Sequence, residues 1–131
     1  MSPRLLLIDD AQDIRAITCI SLERVGQWTV VCAEDGPAGV RAAREEGPFA
    51  AVLLDVMMPG MDGPATLDRL RDEGLSEQVP VVFLTAKTQP DEHKRLLSLG
   101  AAGVITKPFD PLALPNELDQ LLKDAQAAQS P

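Results

Sequence analysis

Five short apolar runs alternate with five stretches of helical character along this 131-residue chain, and that alternation restricts the fold more than any other feature. The runs fall at 4–8, 29–33, 51–54, 81–84 and 104–106. Each is continuously hydrophobic rather than alternating, which is the pattern of a strand buried on both faces. Strands separated by helices in this way read as a parallel sheet covered on both sides, and right-handed crossovers leave few topologies. The expected fold class is therefore α/β, a doubly wound five-stranded parallel sheet with five helices.

The helices have legible ends. The first, 11–25, carries Ile14, Ile17, Leu22 and Val25 at helical spacing and stops at Gly26. The second, 37–46, opens with proline and ends at Gly47-Pro48. The third, 64–73, starts behind Asp62-Gly63, buries Leu67 and Leu70 and stops at Gly74; the fourth, 90–99, presents Leu96 and Leu97 and stops at Gly100. The fifth, 112–123, offers Leu114, Leu118, Leu121 and Leu122, with Pro115 expected to distort or delay its first turn. Residues 1–123 form one domain, and the small, polar residues 124–131 are expected to fray.

Composition excludes several classes of function. Acids outnumber bases 20 to 12, for a net charge of -8, so this chain alone is not expected to bind nucleic acid, whose phosphates it would repel. No apolar stretch approaches the ~20 residues that span a bilayer. The start lacks the long apolar region of a signal peptide, so the expected compartment is the cytoplasm. Cys19 and Cys32 sit in no metal-ligand spacing and read as reduced, packed thiols.

The chemistry gathers where the strands end. Asp9-Asp10 follow the first run, Asp55 the third, Thr85-Ala86 the fourth and Lys107-Pro108 the fifth. Groups at the carboxyl ends of parallel strands open onto one edge of the sheet, where such folds bind ligands. Two carboxylates about 5 Å apart repel by roughly 3 kcal/mol at an effective dielectric of about 20, so three must take up protons or recruit a cation. An all-oxygen site suits Mg²⁺, with Mn²⁺ also acceptable, and the lack of histidine and cysteine argues against zinc. Lys107 and Thr85 bring a positive charge and a donor suited to phosphoryl oxygens. Asp55, central among these groups, is the natural nucleophile for an aspartyl phosphate.

Asp9-Asp10, Asp55 within Leu-Leu-Asp-Val-Met-Met-Pro-Gly-Met-Asp-Gly, Thr85-Ala86 and Lys107-Pro108-Phe109 occur in this order at these intervals. Together they resemble the receiver domain of two-component response regulators, over nearly the whole chain. The resemblance implies the flavodoxin-like strand order 2-1-3-4-5. It implies that Asp55 is the phosphoacceptor in a phosphorelay, taking its phosphoryl group from a sensor histidine kinase or a phosphotransfer protein. Asp10 and Asp55 would ligate the metal directly, Asp9 through water, and Met57 through its backbone carbonyl. Lys107 would pair with the phosphate, Thr85 would supply the switch hydroxyl, and the Lys107-Pro108 peptide would be cis.

Such a chain is a phosphoacceptor switch that assists its own phosphorylation and dephosphorylation rather than an enzyme. Output would pass to a separate, unnamed protein target or by onward phosphotransfer. The face of the fourth helix, fifth strand and fifth helix is the expected contact surface, and also suits a homodimer. The resemblance departs at Val104, where the family usually has an aromatic residue that swings as the threonine moves. Signalling is therefore expected through the fourth helix and residues 86–89. Met57 and Lys87 are placed to line the cleft mouth, and His93, the one histidine, lies on the polar side of the fourth helix.

Two other readings compete. A Mg²⁺-dependent phosphohydrolase forming an aspartyl phosphate would carry Asp-x-Asp after its first strand, whereas this chain has adjacent aspartates and no substrate-recognising cap. A receiver-like interaction module that is never phosphorylated would not need the full set of acids, Thr85 and Lys107.

Overall fold

The computed structural model describes residues 2–129. Five parallel strands, β1 (Arg4–Ile8), β2 (Thr29–Ala33), β3 (Ala51–Asp55), β4 (Val81–Thr85) and β5 (Gly103–Thr106), form one sheet in the order β2-β1-β3-β4-β5. The sheet pairs Leu6 with Val31 on one side and Val52 on the other, Asp55 with Leu84, and Thr85 with Thr106. Fold class and strand order match the expectation. Asp55 and Thr85 are the last residues of their strands rather than the first beyond them.

Alternate residues of each strand feed two separate cores. Leu6, Ile8, Val52, Leu54, Val81 and Phe83 face α2 (Gly36–Glu46), α3 (Gly63–Asp72) and Leu96 of α4 (Pro90–Ser98). Leu5, Leu7, Leu53, Val82, Leu84 and Ile105 face α1 (Gln12–Ile20) and its extension, with α5 (Leu114–Gln129). Residues Leu5, Leu6, Leu7 and Ile8 are all fully buried, each worth about 2 kcal/mol relative to exposure.

Side-chain caps fix where α2 and α3 begin. Asp35 accepts a hydrogen bond from the Ala38 N–H at 2.8 Å, and Asp62 accepts one from Ala65 at 2.9 Å. Each occupies the cap position ahead of a proline that needs no donor partner.

Two helices depart from expectation. The continuation of α1, Ser21–Val25, widens to π geometry, with the Gly26 N–H bonding the Ser21 carbonyl at 3.2 Å. Five-residue bonding turns successive side chains less than the 3.6-residue period does, and Val25, expected inside, is exposed; Ile17 and Ile20, in the regular turns before it, are exposed as well. Helix α5 starts at Leu114, after a turn in which Asp110 accepts from the Ala113 and Leu114 N–H groups, so its start is later than residue 112, as Pro115 led one to expect. It then runs on through residues 124–129, expected to fray. Alanine-rich sequence favours helix, and Gln120 donates to Asp124 one turn on, at 2.9 Å. Residues 130 and 131 of that expected tail lie outside the described residues.

Candidate functional site

The carboxyl ends of β1, β3 and β4, with Lys107 just beyond β5, build one cleft. The sheet carries Asp9 past the end of β1, its N–H bonding the Ala33 carbonyl at 3.1 Å. Its Oδ1 then accepts from the Ala11 N–H at 3.0 Å, so it also caps the approach to α1. Arg15 reaches back to donate to the Asp9 carbonyl at 2.7 Å. Asp55 closes β3, and the chain beyond it returns at once, the Gly63 N–H bonding the Val56 carbonyl at 2.8 Å. A Cβ on Gly63 would stand 2.6 Å from the Asp55 carbonyl oxygen, so only glycine permits this close return.

Lys107 joins the acids. Its N–H bonds the Thr85 carbonyl at 2.7 Å, and the Lys107–Pro108 peptide is cis, as expected. Its Nζ donates to Asp55 Oδ1 at 2.9 Å and to Asp9 Oδ2 at 3.1 Å. Asp9, Asp10 and Asp55 place one carboxylate oxygen each within 4.8 Å of one another. Asp9 and Asp55 are buried, Asp10 is exposed, and Met57 stands 63% exposed at the mouth.

The electrostatics follow from burial. Desolvation pushes the Asp55 carboxyl up to about 6; the Lys107 hydrogen bond opposes this, and the charges of Asp9 and Asp10 add to it. Burial alone would lower the Lys107 pKa, but its hydrogen bond to Asp55 and the nearby negative charges outweigh that and hold it above the usual lysine value. One ammonium facing three carboxylates leaves the cluster short of positive charge. Two of the three acids are buried, all three offer hard oxygen donors, and Asp10 opens to water; this donor set fits a small divalent cation that keeps several of its waters.

Thr85 is buried at the end of β4, where its Oγ1 accepts from the Lys87 N–H at 3.1 Å. Lys87 itself is exposed. Val104 is half-buried against the core face formed with α3 and α4. Trp28 lies at the opposite edge of the sheet, inside the second core.

Sequence alone put Asp9, Asp10, Asp55 and Lys107, with Thr85 on the adjoining strand, at the one sheet edge where the structure brings the first four together. It missed Arg15, whose contact with a main-chain carbonyl leaves no sequence signal, and the approach of Gly63 to Asp55. It also missed the contact of His93 Nε2 with the Lys87 carbonyl at 2.8 Å, and a second cis peptide at Gly47–Pro48.

Among known proteins, residues 5–119 match the response regulator receiver domain. The chain is 38% identical over 114 residues to the phosphate regulon transcriptional regulatory protein PhoB of Escherichia coli, covering 87% of this chain and 49% of that protein. It is 33% identical over 128 residues to the alkaline phosphatase synthesis transcriptional regulatory protein PhoP of Bacillus subtilis, covering 98% and 52%. The chain thus spans about half the length of the curated relatives it matches. Among solved structures, the chemotaxis response regulator CheY4 of Vibrio cholerae superposes with a TM-score of 0.84 at 28% identity, covering 92% of this chain and 99% of that one.

Proposed function

We propose, for a chain that belongs to the response regulator receiver domain family, that its cleft accepts a phosphoryl group on the carboxylate of Asp55. The observation that carries this reading is Lys107 Nζ bridging Asp55 and Asp9 within a buried acid cluster. That arrangement offers a nucleophilic oxygen beside a fixed positive charge, which is what phosphoryl transfer asks of a protein.

The donor is the phosphohistidine of a kinase or phosphotransfer protein, or a small acyl phosphate. An Asp55 Oδ lone pair forms the new O–P bond as the donor bond breaks: the N–P bond of phosphohistidine, its electron pair returning to the imidazole nitrogen, or the O–P bond of an acyl phosphate, its pair leaving on the carboxylate oxygen. Lys107 holds Asp55 in place beforehand and follows the phosphoryl oxygens afterwards; the Thr85 hydroxyl donates to one of them. Asp9, Asp10, Asp55 and the Met57 carbonyl would hold Mg²⁺, which supplies the positive charge that offsets the crowded oxygens. Water later attacks phosphorus and restores the carboxylate, so the chain acts as a timed switch.

Output passes to another protein surface, for which the face of α4, β5 and α5 is the reading we favour by family analogy. A net charge of -8 opposes direct contact with phosphate backbones. No helix among the described residues is long and apolar enough to cross a membrane; a cytoplasmic site of action follows from the family reading.

The deciding experiment is incubation with acetyl phosphate and Mg²⁺, read by intact mass. Wild type is expected to gain one phosphoryl group, Asp55→Asn none, and either a null wild type or a modified Asp55→Asn overturns the reading.

A further inference from the structure

Lys87 is tied at both of its main-chain groups. Its N–H donates to Thr85 Oγ1 at 3.1 Å, and its carbonyl lies 2.8 Å from His93 Nε2. A carbonyl can only accept, so the His93 ring must carry a proton on Nε2 to make this contact. Two hydrogen bonds thereby connect the buried hydroxyl at the end of β4 to the N-terminal half of α4. The one fully buried side chain of the helix is Leu96, near its C-terminal end, whereas Pro90 and Asp91 are exposed and Glu92 and His93 half-buried.

We infer that His93 is a positioning residue that carries movement of the Thr85 hydroxyl into α4. The inference rests on the reading of Asp55 as phosphoacceptor and Thr85 as the hydroxyl that turns toward the phosphoryl group. Turning gives up the geometry in which Oγ1 accepts from the Lys87 N–H. A part-buried N–H left without a partner is costly, so the segment 86–89 follows the hydroxyl, and the Lys87 carbonyl draws on His93 as it goes. The polar chain Thr85–Lys87–His93 supplies the connection.

The test compares wild type, His93→Leu and His93→Gln, each with acetyl phosphate and Mg²⁺, by intact mass and backbone amide NMR. All three are expected to take up the phosphoryl group. In His93→Leu the resonances of 85–87 still move on phosphorylation, but the response across 90–98 shrinks by roughly two- to ten-fold, the bias that one neutral hydrogen bond gives a two-state equilibrium. His93→Gln, whose amide can donate to the same carbonyl, restores it. An undiminished response of α4 in His93→Leu overturns the role of His93 and leaves Asp55 standing; absence of a mass gain in wild type removes both.

A second measurement needs no phosphorylation and no folded His93 variant. Ring ¹⁵N shifts of the free wild-type protein are expected to show the proton on Nε2, with Thr85→Ala changing them and Thr85→Ser leaving them in place. A proton found on Nδ1 alone, or a ring blind to Thr85→Ala, defeats the inference.

Discussion

The two edges of the sheet are built on opposite terms. At the carboxyl edge, three carboxylates and one ammonium crowd together, two of the acids buried, and the Asp55 carboxyl is pushed up to about 6 as a result. At the amino edge, Trp28 and Phe49 are buried, the Arg4 guanidinium lies 4.9 Å from the centre of the Phe49 ring, and main-chain bonds stitch the strands to the segments before them, such as Ala50 N–H to the Arg4 carbonyl at 2.8 Å. Packing holds one edge, while the other keeps costly charge in place. Stability given up at the acid edge is what a site needing high local charge requires.

The largest effect expected from breaking this contrast comes from the packed edge. Trp28→Ala should lower unfolding stability in urea by about 3 kcal/mol, because Trp28 is 8% exposed and packs within the second core. Phosphorylation per folded molecule should be unchanged. A loss confined to a few tenths would mean that this edge is not held by packing.

The acid edge should respond in the opposite direction. Without metal, Asp55→Asn is expected to stabilise the fold at neutral pH by about 3 kcal/mol, the net of burial against the Lys107 contact. The pKa of Asp55 is raised on folding, so between about 4 and about 6 the folded state binds more protons than the unfolded chain, and wild-type stability falls as pH rises through that window. The advantage of Asp55→Asn should therefore be full above pH 6 and gone below pH 4. Denaturation in EDTA across this range measures it, and a constant difference at every pH would refute the account.

The smallest effect sharpens the comparison by holding chemistry constant and changing burial. Arg44 and Arg69 both pair with Glu73 at the end of α3, at 2.6 and 2.7 Å, and their hydrogen bonds hold the Glu73 carboxyl below its ordinary range. Both arginines are more than half exposed, and exposed pairs contribute little. Glu73→Ala should leave the unfolding midpoint within error, where removing a partner of Lys107 does not.

The parts legible in the sequence were those with a local cause. Strand positions followed from runs such as Leu5 to Ile8, helix starts from Asp35 and Asp62 ahead of prolines, and the meeting of Asp9, Asp55 and Lys107 from their places at strand ends. What failed had causes spread over distance. Val25 fits a regular helical stripe, but the wide turn at Ser21–Val25 is seated by contacts outside it: the Ser21 hydroxyl bonds the Pro111 carbonyl, and the Trp28 N–H bonds the Leu22 carbonyl. Residues 124–129 looked too polar to hold a helix, yet they extend one already anchored by Leu114 and Leu118.

The sequence by itself determined a doubly wound sheet and the set of groups at its carboxyl edge, because strand burial and strand-end position are properties of short segments. Only the tertiary structure decided that Lys107 spans two acids at once, that Gly63 must be small to pass Asp55, and that His93 reaches the Lys87 carbonyl. Each of these depends on a distance between residues remote in sequence or held apart by a loop, and such distances are set by how the helices settle on the sheet.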